Sequence, residues 1–424
     1  MARLELTQAP PASLPRRFLL TAPWWGMLAG ALLLVDGDSL LRSRWDVGTL
    51  SLVHVFTLGV LGNIMFGSIL QFLPVVVAVP VRGGVRLGRW LHGLFNVGVL
   101  ALVVGLHQRW RPLLETAAVL LPVAFATLAA MTLPGLWASL SQRLLRVGFG
   151  VALSFGVLTA LLGAALTLGL SGHLGESLPR LVDVHASFGV LGWMLVLLAT
   201  VARVVMPMFQ GTGTVPAAAQ TAWLASVVLT VSVAALLYGL NVVGATALLW
   251  VLLLHSVLFA GAVLWLQWRA RQAGRGPLRW SWRAGASVML LSALVLGLDA
   301  RNGLLAGAWG LAIALPLLLM GMMQEIVAFI GWIELRRQCR RGVQVPGVQR
   351  LLPDLDKRRV LLAQLPVALL LTAAVLWPTP WLARCAGAAL ILAWLVLWVA
   401  LAGVRRRARR FLLSVELPSA SAAG

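Results

Sequence analysis

A single histidine faces two glycines within the long apolar stretch Val184–Gly213. Gly189 and Gly192 follow His185 by four and seven residues, so a helix turning about 100° per residue places all three on one face. An imidazole beside a groove without side chains can ligate a metal or a flat metal-bearing macrocycle. The glycines can instead serve close packing of membrane helices.

The C-terminal end of the same stretch also contains residues of special chemistry. Met206 and Pro207 lie in an MPMF run, and Arg203 precedes them. Because proline ends or kinks a helix, we predict an irregularity at Pro207 close to a buried cation.

A second histidine repeats the first arrangement. His54 is followed by two glycines and then by Pro74, as His185 is followed by two glycines and Pro207. Two neutral imidazoles from different helices suit the axial positions of haem iron, or copper with a third ligand. His255, near the middle of another apolar segment, is a candidate third ligand; a hydrogen-bonded packing role is its alternative.

One carboxylate also lies within an apolar segment. Glu325 is by its position a candidate for proton relay or cation binding. Alternatively it pairs with an arginine, for which Arg203 is the predicted partner, or reaches the membrane surface beside Glu334.

The whole chain is too apolar to be a water-soluble protein. Of its 424 residues, 60% are hydrophobic and 11% charged, which indicates a membrane protein in contact with the lipid bilayer. The formal net charge of +21 comes from basic residues between apolar runs, a pattern of membrane topology, so we predict no nucleic-acid partner.

Apolar segments long enough to cross about 30 Å of hydrocarbon predict an all-α, polytopic fold of about twelve transmembrane helices. The predicted spans are roughly 18–36, 49–79, 88–107, 112–133, 147–170, 180–206, 217–239, 243–268, 282–300, 304–333, 359–377 and 381–403. The two cysteines, Cys339 and Cys385, then lie on opposite sides of the membrane, which excludes a disulfide.

Basic residues are distributed unevenly about these spans. With a cytoplasmic N-terminus, the outer loops contain only seven of the 34 basic residues, namely Arg42, Arg44, Arg109, Arg111, Arg180, Arg301 and Arg384. The asymmetry predicts a multi-pass protein of the bacterial inner (plasma) membrane with both termini cytoplasmic. We predict a cytoplasmic arm over 1–17, a twelve-helix domain over 18–403 with a basic cytoplasmic loop at 334–358, and a basic tail over 404–424 with a disordered end.

The spacing of the special residues predicts three pseudo-repeated four-helix units, marked by helices two, six and ten. Residues 325–329 align with 204–208 in the third unit. The ligand of that unit would lie around 308–314, where the sequence AWGLAIA offers none.

Twelve helices in three units, with histidine on the second and sixth, resemble subunit I of the haem-copper oxidases. The HxxxxGxxG string from His54, the GW and MPMF strings on helix six, the run 321–332 and the LLPD at 351–354 resemble more closely the reduced relatives of that group, including NnrS-like proteins of the nitric-oxide response. The resemblance covers nearly the whole chain.

This resemblance implies roles for the histidines and also identifies what is missing. His54 matches the position that ligates low-spin haem, and His185 matches a copper-ligand position. Gly189 stands where the oxidases have a tyrosine, and helices seven and ten lack the remaining histidines of the family. The usual binuclear centre, and oxygen reduction by it, are therefore not expected.

We predict an oxidase-like membrane protein that binds haem b, copper or both through His54 and His185, with His255 as a further candidate ligand. Its expected role is electron transfer, nitric-oxide or metal handling, or support of a respiratory complex, with a cytochrome or respiratory subunit as partner. The first alternative is an ion- or proton-coupled transporter of a small solute that uses Glu325. The second is a scaffold subunit without a cofactor.

Overall fold

The computed structural model describes residues 5–139, 142–173, 178–270, 276–340 and 342–416. The predicted number of spans is confirmed, because these residues form twelve helices that are long and apolar enough to cross a membrane. In chain order they are α1 (Ser13–Leu41), α2 (Val47–Val76), α3 (Gly84–His107), α4 (Arg111–Ala138), α5 (Arg143–Leu170), α6 (Pro179–Gln210), α7 (Ala217–Gly239), α8 (Thr246–Arg269), α9 (Pro277–Leu298), α10 (Ala300–Gln338), α11 (Asp354–Leu376) and α12 (Pro380–Val415). All regular elements of the described residues are helices, and both cysteines are free.

Several helices extend beyond the apolar segments that predicted them. α10 continues to Gln338 and α11 begins at Asp354, so the predicted loop at 334–358 shrinks to 339–353, which itself contains the one-turn helix Val348–Leu351. The basic tail is helical as far as Glu416. Hydropathy marks only the part of a helix that suits hydrocarbon, whereas arginine-rich turns are good helix formers and continue the helix into water.

The predicted N-terminal arm is folded against the helix bundle. α1 begins at Ser13, within the range 1–17 assigned to the arm. Before it, the Glu5 amide donates to the Val75 carbonyl at 2.8 Å. The Arg337 guanidinium donates to carbonyls of the arm, including that of Ala9 at 2.8 Å. Residues 5–12 therefore cover the ends of α2 and α10. The predicted end of the arm at 1–4 and the tail at 417–424 lie outside the described residues.

Three helices form the centre of the bundle. The most apolar windows of α2, α6 and α10 are 83%, 72% and 56% buried, against 22% for α7 and 28% for α11. A helix that is apolar on all faces is typical of the centre of a large bundle. The few polar groups on such a helix are also costly in lipid, so they favour surroundings of protein. The two histidines of interest are on two of these three helices.

Outer helices close the bundle through glycine contacts. α1 packs along α12, where a Cβ on Gly30 would be 2.5 Å from the Gly387 carbonyl oxygen and a Cβ on Gly387 would be 2.6 Å from that of Gly30. Backbones this close require glycine on both helices. The first and last helices of the chain are thereby joined side by side.

Each central helix contains a π-helical segment. The three segments are Val55–Gly62 in α2, Phe188–Leu195 in α6 and Ala308–Ala314 in α10. A π segment widens the turn and redirects the side chains beside it, and such segments are often found at functional sites. The first begins directly after His54 and the second three residues after His185, so both histidines lie at the point where the helix changes its pitch.

Candidate functional site

The structure brings His54 and His185 together. Their ring centroids are 6.2 Å apart, and the ring planes are inclined by 32°. Both helices enter from the same end of the bundle, and each histidine lies about two turns from its start. We call these two side chains the histidine pair.

One ring nitrogen of each histidine is tied to a backbone carbonyl. His54 Nδ1 is 2.7 Å from the Leu50 carbonyl oxygen, and His185 Nδ1 is 3.0 Å from that of Thr159 on α5. A carbonyl only accepts, so the ring hydrogen is assigned to Nδ1 and the lone pair to Nε2. No described residue hydrogen-bonds to either Nε2. Two oriented lone pairs are therefore available to a ligand.

The histidine pair opens into an apolar cavity of about 350 Å³ between α2 and the helices α3 to α6. Hydroxyl groups in its wall are engaged within their own helices, since Thr57 donates to the Val53 carbonyl at 2.9 Å and Thr159 to that of Phe155 at 2.7 Å. An apolar cavity of this size with a few oriented polar atoms is typical of a small-molecule or cofactor site.

Glycines near the histidines mainly receive side chains from neighbouring helices. A Cβ on Gly192 would be 2.4 Å from the Phe155 ring, and one on Gly59 would be 2.7 Å from the Trp25 ring. A Cβ on Gly189 would be 3.1 Å from the Thr159 methyl group, and Gly189 also lines the cavity. Gly192 therefore serves close packing of the helices. Gly189 serves helix packing and also leaves space in the cavity beside the histidines.

A third glycine, on α5, contacts the site directly. A Cβ on Gly163 would be 3.0 Å from His185 Cε1. Gly163 lies one turn from Thr159, whose carbonyl accepts from the same ring, so this turn of α5 sets both the position and the tautomer of His185. Sequence reasoning missed both residues, because a threonine and a glycine four residues apart are common on any membrane helix.

His255 is not part of this site. Its Nδ1 donates to the Val251 carbonyl at 2.8 Å, and its Nε2 lies 3.0 Å from the hydroxyl oxygen of Ser226 on α7. The side chain is 1% exposed and does not line the cavity. The predicted ligand role therefore lacks a free nitrogen, and the hydrogen-bonded packing role fits the geometry. The other histidines also have polar neighbours: His92 at Thr21, His107 at Asp36 and His173 at Glu115.

The end of α6 lies close to the proline at which a kink or helix end was predicted. The helix passes through Pro207 and ends at Gln210, followed by Gly211 with φ +64°. Glycine adopts this left-handed conformation without strain and ends helices. Met206 is 2% exposed and belongs to the apolar core. Neither Met206 nor Pro207 reaches the cavity of the histidine pair.

Arg203 and Glu325 do not pair, contrary to the prediction. Arg203 donates to the Val215 carbonyl at 2.8 Å and to Gln220 at 2.7 Å, which fastens the connection between α6 and α7. Glu325 accepts instead from Lys357 on α11 at 2.5 Å, and both side chains are almost fully buried. Lys357 is the only lysine in the sequence, a signal that could have singled it out.

The donor set is limited to two imidazoles. Within the described ranges no group of three or more His, Cys, Asp or Glu side chains could hold a metal ion. Two imidazoles suit a group whose metal receives its other ligands from a macrocycle. No family model and no curated protein matches the chain.

Proposed function

We propose that this chain is an integral membrane redox protein that binds haem b through His54 and His185. The observation that carries the proposal is the orientation of the histidine pair, in which both Nδ1 atoms are hydrogen-bonded to carbonyls and both Nε2 atoms are unengaged at one cavity. Metal-ligating histidines almost always donate their second ring N–H to such a partner, which fixes the ring and raises its basicity.

The separation of the rings fits two ligands on one metal. A ligated imidazole has its ring centroid about 3 Å from the metal, because metal–nitrogen bonds are about 2.0 to 2.1 Å long. Two imidazoles on opposite sides of one ion would then have centroids about 6 Å apart. The observed separation is 6.2 Å.

The cavity favours haem over a single copper ion. A copper ion held by two imidazoles needs no space beyond its own coordination shell, whereas about 350 Å³ of apolar space adjoins the pair. A porphyrin would fill such space with apolar surface and supply the equatorial ligands that the chain lacks. The alternative is a copper ion bound by the same two nitrogens, and metal analysis distinguishes it from haem.

The proposed role is electron transfer. Bound haem supplies a one-electron couple. His54 and His185 would together hold the haem, which would supply one-electron transfer. The apolar wall excludes water, and the two carbonyls keep both rings in place through a change of charge.

A threefold, oxidase-like architecture is part of the proposal. The first two π segments begin 133 residues apart, as do Pro74 and Pro207. The third begins 120 residues after the second, within one residue of the offset that aligns 325–329 with 204–208. These regularities support three related units of a reduced haem-copper oxidase type, with nitric-oxide or metal handling and support of a respiratory complex as the proposed physiological settings.

The proposed location is the bacterial inner membrane, with both termini cytoplasmic. The support is the sparsity of arginine in the loops at the end of the bundle that carries the histidine pair. A redox partner, a cytochrome or respiratory subunit, would then approach from the outer side. Transport through Glu325 is less well supported, since its carboxylate is occupied by Lys357.

An optical and metal analysis of the detergent-purified protein tests the proposal. We expect a reduced-minus-oxidised spectrum of a low-spin, six-coordinate b-type haem, about one iron per polypeptide, and no carbon monoxide shift, since both axial positions are filled. Protein produced with ample haem supply that shows no Soret band and no iron would refute it. If the protein contains one copper per chain and no haem, the bound group is copper, held by the same two histidines.

A prediction at Gly163 tests how His185 is positioned. In Gly163→Ala the new methyl group would be 3.0 Å from His185 Cε1, closer than ordinary van der Waals contact, so the ring must turn away from the Thr159 carbonyl. We expect retained haem with a shifted midpoint potential and altered ligand-field bands in electron paramagnetic resonance. Gly150→Ala on the same helix is the matched control, because no atom lies within 4 Å of its Cβ. Equal effects of the two variants would contradict this role.

A further inference from the structure

A second apolar cavity lies next to the first. Its volume is about 410 Å³, and it is enclosed by α6, α8, α9 and α10. The two cavities share six lining residues, which are Trp45, Val53, Val182, Ala186, Val190 and Leu311. Val53 and Ala186 are the sequence neighbours of the histidine pair, so both cavities reach the histidine-bearing turns, while His54 and His185 themselves line the first.

The mouth of the second cavity contains a cation without an acidic partner. Arg44 lines this mouth, and its guanidinium lies 4.5 Å from the centroid of the Trp45 ring. Among the described residues it has no ion pair or hydrogen bond. Trp45 itself lines both cavities. Asp183 also lines this cavity, and its carboxylate accepts a hydrogen bond from the Tyr238 hydroxyl at 3.0 Å.

A neighbouring arginine in the same connection is bonded differently. Arg42 donates to Asp38 from two nitrogens, at 3.1 Å and 2.7 Å. The two arginines are two residues apart, both exposed, and differ in that only Arg42 is neutralised. Arg44 is therefore available to an anionic group, and Arg42 is its matched control.

We infer that the two cavities are the two halves of one site for the haem, with Arg44 binding a haem carboxylate at its outer edge. The inference rests on the proposed function. A porphyrin held between two imidazoles would extend to both sides of the line that joins the two rings. It therefore needs apolar space on both sides of that line. The first cavity supplies one side and the second supplies the other, and the residues that line both mark where the two meet.

The positive charge of Arg44 favours haem over a neutral apolar molecule as the occupant of the two cavities. Haem is apolar over most of its surface and has two carboxylates on one edge, which matches an apolar double cavity with a cation at one end. An Arg–carboxylate pair is a strong, often bidentate interaction, although exposure weakens it. A lipid acyl chain in the second cavity would fill the same space without requiring Arg44.

Two variants and two controls test the inference on the full-length, haem-loaded protein. Arg44→Gln removes the cation, and Gly307→Leu adds a side chain to the second cavity at a position where a Cβ has no atom within 4 Å. Arg42→Gln is the control for charge. Gly261→Leu is the control for size, since its Cβ also has no neighbour within 4 Å and it lines neither cavity.

We expect Arg44→Gln to release haem to apomyoglobin about tenfold faster, the order expected for loss of a charged hydrogen bond. Its midpoint potential should fall, because a cation near the haem stabilises the reduced, more electron-rich state. Gly307→Leu should lower the haem content per monodisperse polypeptide. Both controls should behave as wild type.

The outcomes separate this inference from the proposed function. Wild-type protein without haem refutes the proposed function. Haem-loaded wild type with unchanged release and potential in Arg44→Gln, and unchanged haem content in Gly307→Leu, overturns the inference and leaves the histidine ligation intact. Arg44→Gln alters an exposed side chain and tests the inference even if Gly307→Leu does not fold. An equal effect of Arg42→Gln would assign the change to general surface charge and overturn the role of Arg44.

Discussion

Replacing His185 by alanine is expected to remove the low-spin, six-coordinate haem spectrum and to lower the Soret absorbance of the purified protein, and replacing His54 is expected to do the same. Each imidazole supplies one of only two protein ligands, so the loss of either leaves a five-coordinate site or none. The Nδ1–H bonds to Leu50 and Thr159 are lost with the rings. The measurement is the Soret absorbance per folded, monodisperse polypeptide.

Chemical rescue distinguishes ligation from a general structural role. In His185→Gly and His54→Gly, added imidazole should enter the space left by the side chain and restore the six-coordinate spectrum. His255→Ala is the matched control, because His255 is also a buried histidine on a membrane helix, but both of its ring nitrogens are engaged elsewhere. We expect it to lower thermal stability and leave haem per folded chain unchanged. Full haem content in both His54 and His185 variants would contradict the ligation.

Replacing Lys357 by methionine is expected to destabilise the protein by about 3 to 5 kcal/mol, because it leaves the buried Glu325 carboxylate without its counter-charge. Their side chains are 6% and 9% exposed, and the Nζ–Oε1 distance is 2.5 Å. Glu325→Gln should also destabilise, because it leaves the buried ammonium with only the half-exposed Asp354 carboxylate, 3.7 Å away, as counter-charge. The double variant, which removes both charges, should recover much of the loss.

Thermal unfolding in detergent, followed by loss of the monodisperse peak, measures these differences. Arg359→Met is the control, since Arg359 pairs with Asp356 at 3.5 Å and is 63% exposed; exposed pairs contribute about 0 to 1 kcal/mol. If Lys357→Met is as stable as this control, the buried pair is not a stabilising contact.

The same variants address the transporter alternative. A proton-coupled carrier that uses Glu325 would lose flux in Glu325→Gln, and the double variant, although stable, would not recover it. A carboxylate that serves stability would show the opposite pattern, with function following the folded fraction. The ion pair joins α10 to α11 at the end of the bundle remote from the histidine pair, so haem content should be insensitive to the double variant.

The sequence by itself determined the membrane architecture. Twelve apolar segments of sufficient length predicted twelve helices, and the structure has twelve. This works because the length and composition of a membrane span are local properties, set by the thickness of hydrocarbon. The ends of the helices were less predictable, as at Gln338 and Asp354, because helix-forming polar residues continue a helix beyond the hydrocarbon.

Single residues of unusual type were identified from the sequence, but most of their partners were not. His54 and His185 were singled out together, since the repeat placed them at one depth of neighbouring units. Arg203 was assigned to Glu325, whereas the structure pairs Glu325 with Lys357. The contacts of a membrane helix depend on how the helix is rotated about its axis in the bundle. The sequence of one helix does not determine which of its faces meets which neighbouring helix.

Only the tertiary structure decided what surrounds the histidine pair. The Thr159 carbonyl and Gly163 approach His185 from α5, one cavity opens at the pair, and a second reaches the turns that carry it. Both arise where helices distant in sequence leave space or make contact. The type of a metal-ligating side chain is determined by one residue of the sequence. The orientation of that side chain and the cavity beside it are determined by the packing of several helices.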